Sequence, residues 1–116
     1  MNAPSRRKFP RVPFEQAGSM HIHRTRRDLP VVVREVSPGG LGLVCEESNG
    51  PVAPDAQVTV QFVAGGVELE LPGRVAWRRD DAFGVQLRLE IAPQRHRRAY
   101  ARWVVDLLCA GEPRPC

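Results

Sequence analysis

No apolar run in this sequence approaches the ~20 residues that a helix needs to cross a bilayer, so no membrane insertion is expected. The start of the chain is basic but no apolar stretch follows, and it does not read as a secretory signal. Cysteines are few. Cys45, Cys109 and Cys116 are odd in number and form no C-x-x-C pair, which argues against a disulfide framework or a zinc ribbon. Reduced thiols and a cytoplasmic location are the simplest expectation. Aromatic residues make up 6% of the chain and form no stripe along one strand, so no base-stacking platform for DNA or RNA is expected. There is no G-x-S-x-G, and Ser37 has no identifiable base. His21 and His23 lie two apart and would share a strand face, but no third metal ligand is close in sequence. No enzyme, metal site or cofactor is therefore expected. Neither an internal repeat nor a low-complexity segment is evident.

What the chain does have is turns and arginines. Eleven prolines and ten glycines in 116 residues suggest a small all-β fold with many turns. At 42% hydrophobic and 26% charged residues the composition is globular, and the length fits one domain. The formal net charge of +4 is unevenly spread. Arg6, Arg7, Lys8 and Arg11 crowd the start, Arg24, Arg26 and Arg27 form a second group, and Arg95, Arg97, Arg98 and Arg102 a third. Arginine is favoured over lysine where a planar fork must grip phosphate or stack on a base. Solvated surface charge is the competing explanation, above all for the second and third groups.

Residues 1–13, with Pro4, Pro10 and Pro13, read as a flexible basic arm. Residues 14–91 read as a barrel of short strands. Phe14 to Thr25 is the first, though its alternation is imperfect, and Leu29 to Val36, with Val31, Val32 and Val33, is the clearest. Leu41 to Cys45 follows, with Cys45 expected in the core. Val58, Val60 and Phe62 alternate with polar residues, and Ala64-Gly65-Gly66 is a hairpin turn. Val67, Leu69 and Leu71 resume the alternation, Pro72-Gly73 suggests a bulge or bend, and Val75 and Trp77 carry the pattern to Arg79. Phe83, Val85, Leu87 and Leu89 alternate to Ile91. In residues 92–110 the period changes. Pro93 is placed as a first helical residue, and Tyr100, Trp103, Val104, Leu107 and Leu108 share one helical face. Gly111 would end that helix.

The chain is organised around Glu35-Val36-Ser37-Pro38-Gly39-Gly40-Leu41-Gly42-Leu43. It reads as a strand end, a tight turn and a strand start. Gly39 and Gly40 are expected to supply positive φ and bare backbone N–H groups. Glu35 and Ser37, two apart, face the same way. A carboxylate, a hydroxyl, free N–H groups and nearby arginines together suit a ligand that is anionic yet rich in N–H donors. A guanine nucleotide has both properties.

Two stretches together resemble the PilZ domain family of bacterial cyclic di-GMP receptors. Arg7-Lys8-Phe9-Pro10-Arg11 matches its R-x-x-x-R, with Arg6 as the extra arginine often found before it. Glu35-Val36-Ser37-Pro38-Gly39-Gly40 matches its D/N-x-S-x-x-G apart from Glu35. The stretches Gly40-Leu41-Gly42-Leu43, Gly73-Arg74-Val75-Ala76-Trp77 and Phe83-Gly84-Val85-Gln86-Leu87 look like later landmarks. The resemblance implies a six-stranded antiparallel β-barrel with a C-terminal α-helix. It implies that Arg6, Arg7 and Arg11 bind phosphates and the guanine, that Glu35 accepts from guanine N–H groups, that Ser37, Gly39 and Gly40 meet a phosphate, and that Trp77 edges the ligand. The implied function is a non-enzymatic switch: cyclic di-GMP orders the arm, and the altered surface signals to an effector protein in motility, pilus or exopolysaccharide (biofilm) control. The alternative is a PilZ-like interaction module that binds protein but no nucleotide, suggested by glutamate in place of aspartate.

Overall fold

The computed structural model describes residues 12–45 and 53–110. Six strands, β1 Val12–Ile22, β2 Arg27–Ser37, β3 Gly40–Val44, β4 Gln57–Ala64, β5 Val67–Arg79 and β6 Ala82–Leu87, precede a 3₁₀ turn, Leu89–Ile91, and a helix, α1, Gln94–Ala110. The strands close into a barrel in the order β1-β2-β3-β6-β5-β4. Every pairing is antiparallel, and β1 seals against β4 from Gly18↔Phe62 to Ile22↔Val58.

Alternation builds the core directly. Val58, Val60 and Phe62 on β4, and Leu69, Leu71 and Val75 on β5, point inward with Phe83, Val85 and Leu87 on β6. Met20, Ile22, Leu29, Val31, Val33, Val36, Leu41 and Leu43 complete it. A barrel this small is filled by side chains and encloses no channel. Cys45 is fully buried in this core, whereas Cys109 is disulfide-bonded. The expectation of reduced thiols therefore fails at Cys109.

Several local readings need correction. β1 begins at Val12 and ends at Ile22, not Phe14 to Thr25, because Arg26 adopts φ 58° in the turn and β2 starts at Arg27. The imperfect alternation of β1 reflects a register irregularity between Pro13 and Gln16. Pro72-Gly73 is no bulge, since β5 runs through it in unbroken register with β4. The Pro72 carbonyl accepts the Arg88 N–H at 2.8 Å, which places its nitrogen on the β6 side. The last β6 pair is Gly73↔Leu87, so the missing proline N–H breaks no ladder bond. Leu89–Ile91 is a 3₁₀ turn, not the end of the last strand. Glycine φ values also differ from expectation. Among described glycines, Gly65 (58°) and Gly66 (79°) have positive φ, as a two-residue turn of the mirror-image type I demands, while Gly39 and Gly40 do not.

Helix α1 caps one end of the barrel. Trp103 lies under Gly65 and packs edge-on against Phe14 and Phe62, and Tyr100 and Val104 are buried. Phe14 lies near the start of β1, Gly65 joins β4 to β5, and Tyr100 reaches the β2–β3 turn, so all three lie at the same end. Among described residues no helix is long and apolar enough to cross a membrane.

Candidate ligand-binding surface

Two bulges build the surface. Strict alternation after Val31 and Val33 would carry Glu35 and Ser37 into the core. The β2–β3 register slips between Val33 and Glu35, so Val36 becomes the inward residue and Glu35 and Ser37 turn outward. Likewise, alternation through Leu69, Leu71 and Val75 would bury Trp77. The β5–β6 register slips between Val75 and Trp77, and Trp77 is 40% exposed while Val75 is fully buried. The reading that Trp77 continues the alternation is corrected by this slip.

The two outward side chains then stand at the ends of one row. Glu35 pairs with Gly42, Gly42 with Gly84, and Gly84 with Trp77. Between them lies a floor two strands wide with no side chains. Glu35 leans over one glycine: a Cβ on Gly42 would lie 3.3 Å from its Cβ and 3.4 Å from its Oε1. The Trp77 indole lies over the other, where a Cβ on Gly84 would be 2.1 Å from Nε1. Arg34, Val44, Ala82 and Phe83 help to line the resulting cleft of about 390 Å³, at the small end of ligand pockets. Arg78 holds its guanidinium 5.2 Å from the ring centroid of Phe83.

The turn beside Glu35 is fixed from three sides. Ser37 Oγ donates to the Gly40 carbonyl at 3.3 Å, the Leu87 N–H donates to the Gly39 carbonyl at 2.9 Å, and the Tyr100 hydroxyl donates to the Ser37 carbonyl at 2.5 Å. Tyr100 also lies 3.3 Å from the Gly40 carbonyl. Its burial pushes the phenol well above the ordinary tyrosine range. The glycines matter here for space. A Cβ on Gly40 would meet the Val85 carbonyl oxygen at 2.9 Å, whereas one on Gly39 meets nothing within 4 Å.

Of the residues expected to form the site, Glu35, Ser37, Gly39, Gly40 and Trp77 thus share one outer face and its adjoining turn. Arg6, Arg7 and Arg11 lie outside the described residues. By sequence Gly42 and Gly84 stand out only as family landmarks, and Tyr100 only as a core residue. An isolated glycine inside a strand is itself a sign of close approach, and that signal was available at Gly84. His21 Nδ1 is 2.8 Å from Asp28, and His23 Nε2 is 2.7 Å from the Thr59 hydroxyl. Both histidines flank the β1–β2 turn, at the end of the barrel away from Ser37.

A family model described as the PilZ domain matches residues 5–106. The chain belongs to the PilZ domain family. PilZ domains are cyclic di-GMP receptor and adaptor modules, not enzymes. The PilZ domain of CeSA from a cellulose-synthesizing bacterium superimposes with a TM-score of 0.68 at 19% identity, covering 85% of this chain and 98% of that one. The Bacillus subtilis inhibitor of motility MotI/DgrA superimposes with a TM-score of 0.73 at 9% identity, covering 92% of this chain and 53% of that one. At such identities the likeness establishes the PilZ fold alone. No curated protein matches the sequence.

Proposed function

We propose that this PilZ protein binds cyclic di-GMP and passes the bound state to a partner protein through α1. The observation that carries this reading is the row Glu35–Gly42–Gly84–Trp77, a planar slot with a carboxylate at one end and an indole at the other. Guanine presents N1–H and an exocyclic amine side by side, and the two Glu35 oxygens accept both. Adenine lacks that donor pair. The cleft beside Gly42 admits a flat ring, and the Trp77 indole, seated over Gly84, offers it an apolar wall. Ser37 and the open Gly39 face a phosphate.

Connectivity supports the arginine roles. Arg11 is bonded to Val12, which pairs with Val36 beside Ser37. Arg7 precedes Val12 by five residues, so an extended chain keeps it within roughly 18 Å of that point. Both guanidinium groups are therefore within range of phosphates on the slot. The signal route is Tyr100, whose hydroxyl ties the ligand-side turn to the buried face of the helix. Closing an arm on the slot and shifting that turn changes what the helix end of the barrel presents. The output belongs to motility, pilus or exopolysaccharide control.

Calorimetric titration of cyclic di-GMP, beside cyclic di-AMP and an Arg7→Ala, Arg11→Ala variant, tests this. Micromolar or tighter binding of the guanine ligand alone, lost in the variant, is expected. The second reading, a protein-interaction module without nucleotide, draws on Trp77 already covering Gly84 and on glutamate at the aspartate position. A silent titration that stays silent after Glu35→Asp would favour it.

A further inference from the structure

A second surface lies where α1 passes the β4–β5 turn. A groove of about 420 Å³ runs between them, with Ala64, Gly65, Val67, Ala99 and Trp103 as its apolar lining. Val67 is 47% exposed, and Val63 and Val105 nearby are 44% and 55% exposed. Arg98 and Arg102 stand on the helix side of the groove and Arg95 continues their row. Among the described residues none of these three arginines forms an ion pair. Arg95 does not serve the helix either, since it stands in the first turn, where a cation opposes the helix dipole.

We infer that this groove docks an acidic amphipathic segment of a partner protein, which seats an apolar side chain between Val67 and Trp103 and sets carboxylates on Arg98 and Arg102. The shape favours a peptide over other anions. A groove accepts a protruding residue, whereas the exposed apolar side chains around it are short valines, not the long or aromatic residues that insert into a lipid surface. Trp103 is only partly exposed and packs against Phe14, Phe62 and Gly65, and no second aromatic lines the groove to form a stacking platform for bases. Asp106 on the rim opposes a polyanion and tolerates a segment of mixed charge. The inference deepens the adaptor half of the proposed function and rests on it only for there being a partner.

The test runs on the full chain without nucleotide, so a failed cyclic di-GMP titration leaves it standing. A random peptide library displayed on phage is selected against the protein, with an Arg98→Glu, Arg102→Glu variant for counter-selection. Enriched peptides should set Asp or Glu around a bulky apolar residue. A labelled copy should lose about tenfold or more in affinity for Arg98→Ala, Arg102→Ala, and bind more weakly as salt rises. These residues are exposed, and unchanged thermal unfolding verifies the variants. No enrichment, or peptides without acidic excess, or affinity indifferent to both arginines, overturns the inference. So does a dimer seen by sedimentation that Val67→Ser dissolves, or binding to phosphatidylserine vesicles that the arginine variant loses.

Discussion

Gly84→Ala separates stability from ligand binding in this protein. The added Cβ would fall 2.1 Å from Trp77 Nε1 and 2.3 Å from Cε2, so the indole must leave its place. Fully burying a large apolar side chain is worth roughly 1.5–3 kcal/mol. Trp77 is already 40% exposed, so about 1 kcal/mol of packing is at stake. Alanine recovers roughly 0.5–1 kcal/mol over glycine within a strand. Net stability should change by less than about 1 kcal/mol, and the melting temperature by about 4 °C or less. Binding should suffer more. The displaced indole swings into solvent, which removes the wall of the slot, or over Gly42, which fills it. Misfit of this size typically costs ~1–3 kcal/mol, or roughly 5- to 150-fold in Kd for cyclic di-GMP. Thermal unfolding of the free protein and calorimetric titration check the two halves. An affinity within about twofold of wild type would refute the slot as the guanine site, and a melting temperature lowered by more than about 10 °C would refute the mobility assigned to Trp77.

Other expectations are as specific. Gly40→Ala drives a Cβ to 2.9 Å from a backbone oxygen that cannot swing away, so chemical unfolding should register a loss of roughly 1–3 kcal/mol. Tyr100→Phe leaves the Ser37 carbonyl without its hydroxyl donor and should cost about 1–3 kcal/mol, while weakening the effect of ligand on exchange protection in α1. Tyr100 is the one tyrosine, so tyrosinate absorbance reports on it alone. Its folded pKa is raised above 10.0, so its share of stability is complete below pH 10 and drains away as pH rises beyond it. Ionisation should therefore coincide with unfolding, and a titration midpoint near 10 in folded protein would contradict the burial argument. Glu35→Gln keeps the size but replaces one acceptor with a donor. Discrimination of cyclic di-GMP over cyclic di-AMP should fall at least about tenfold in competition assays.

Much of this protein is written locally. Alternation at Val58-Thr59-Val60-Gln61-Phe62 fixes a strand and its inner face without reference to anything else. Gly65-Gly66 prescribes its turn because both positions need positive φ. The change of period at Pro93 announces a helix, and its apolar face, Tyr100, Val104, Trp103 and Leu107, packs on the core as spaced. Each of these signals lies within a few residues, which is why each could be read. The residues of the turn, Ser37 to Gly40, were legible for the same reason, although their glycines serve close packing and an open approach instead of unusual backbone angles.

The sequence by itself therefore determined the elements, the turns, the motif residues and the family resemblance. It could not decide which way Glu35 and Trp77 point. Period-two alternation, followed strictly, sends both inward, and a single extra residue in a ladder has no signature of composition. The two bulges arise only when β2 must stay in register with β3, and β5 with β6, around a closed barrel. Gly42 and Gly84 acquire their meaning in the same way, as neighbours across strands separated by some forty residues of chain. Tertiary structure decided the outer face because hydrogen-bond register is set between strands, and no strand carries its partner's register within its own residues.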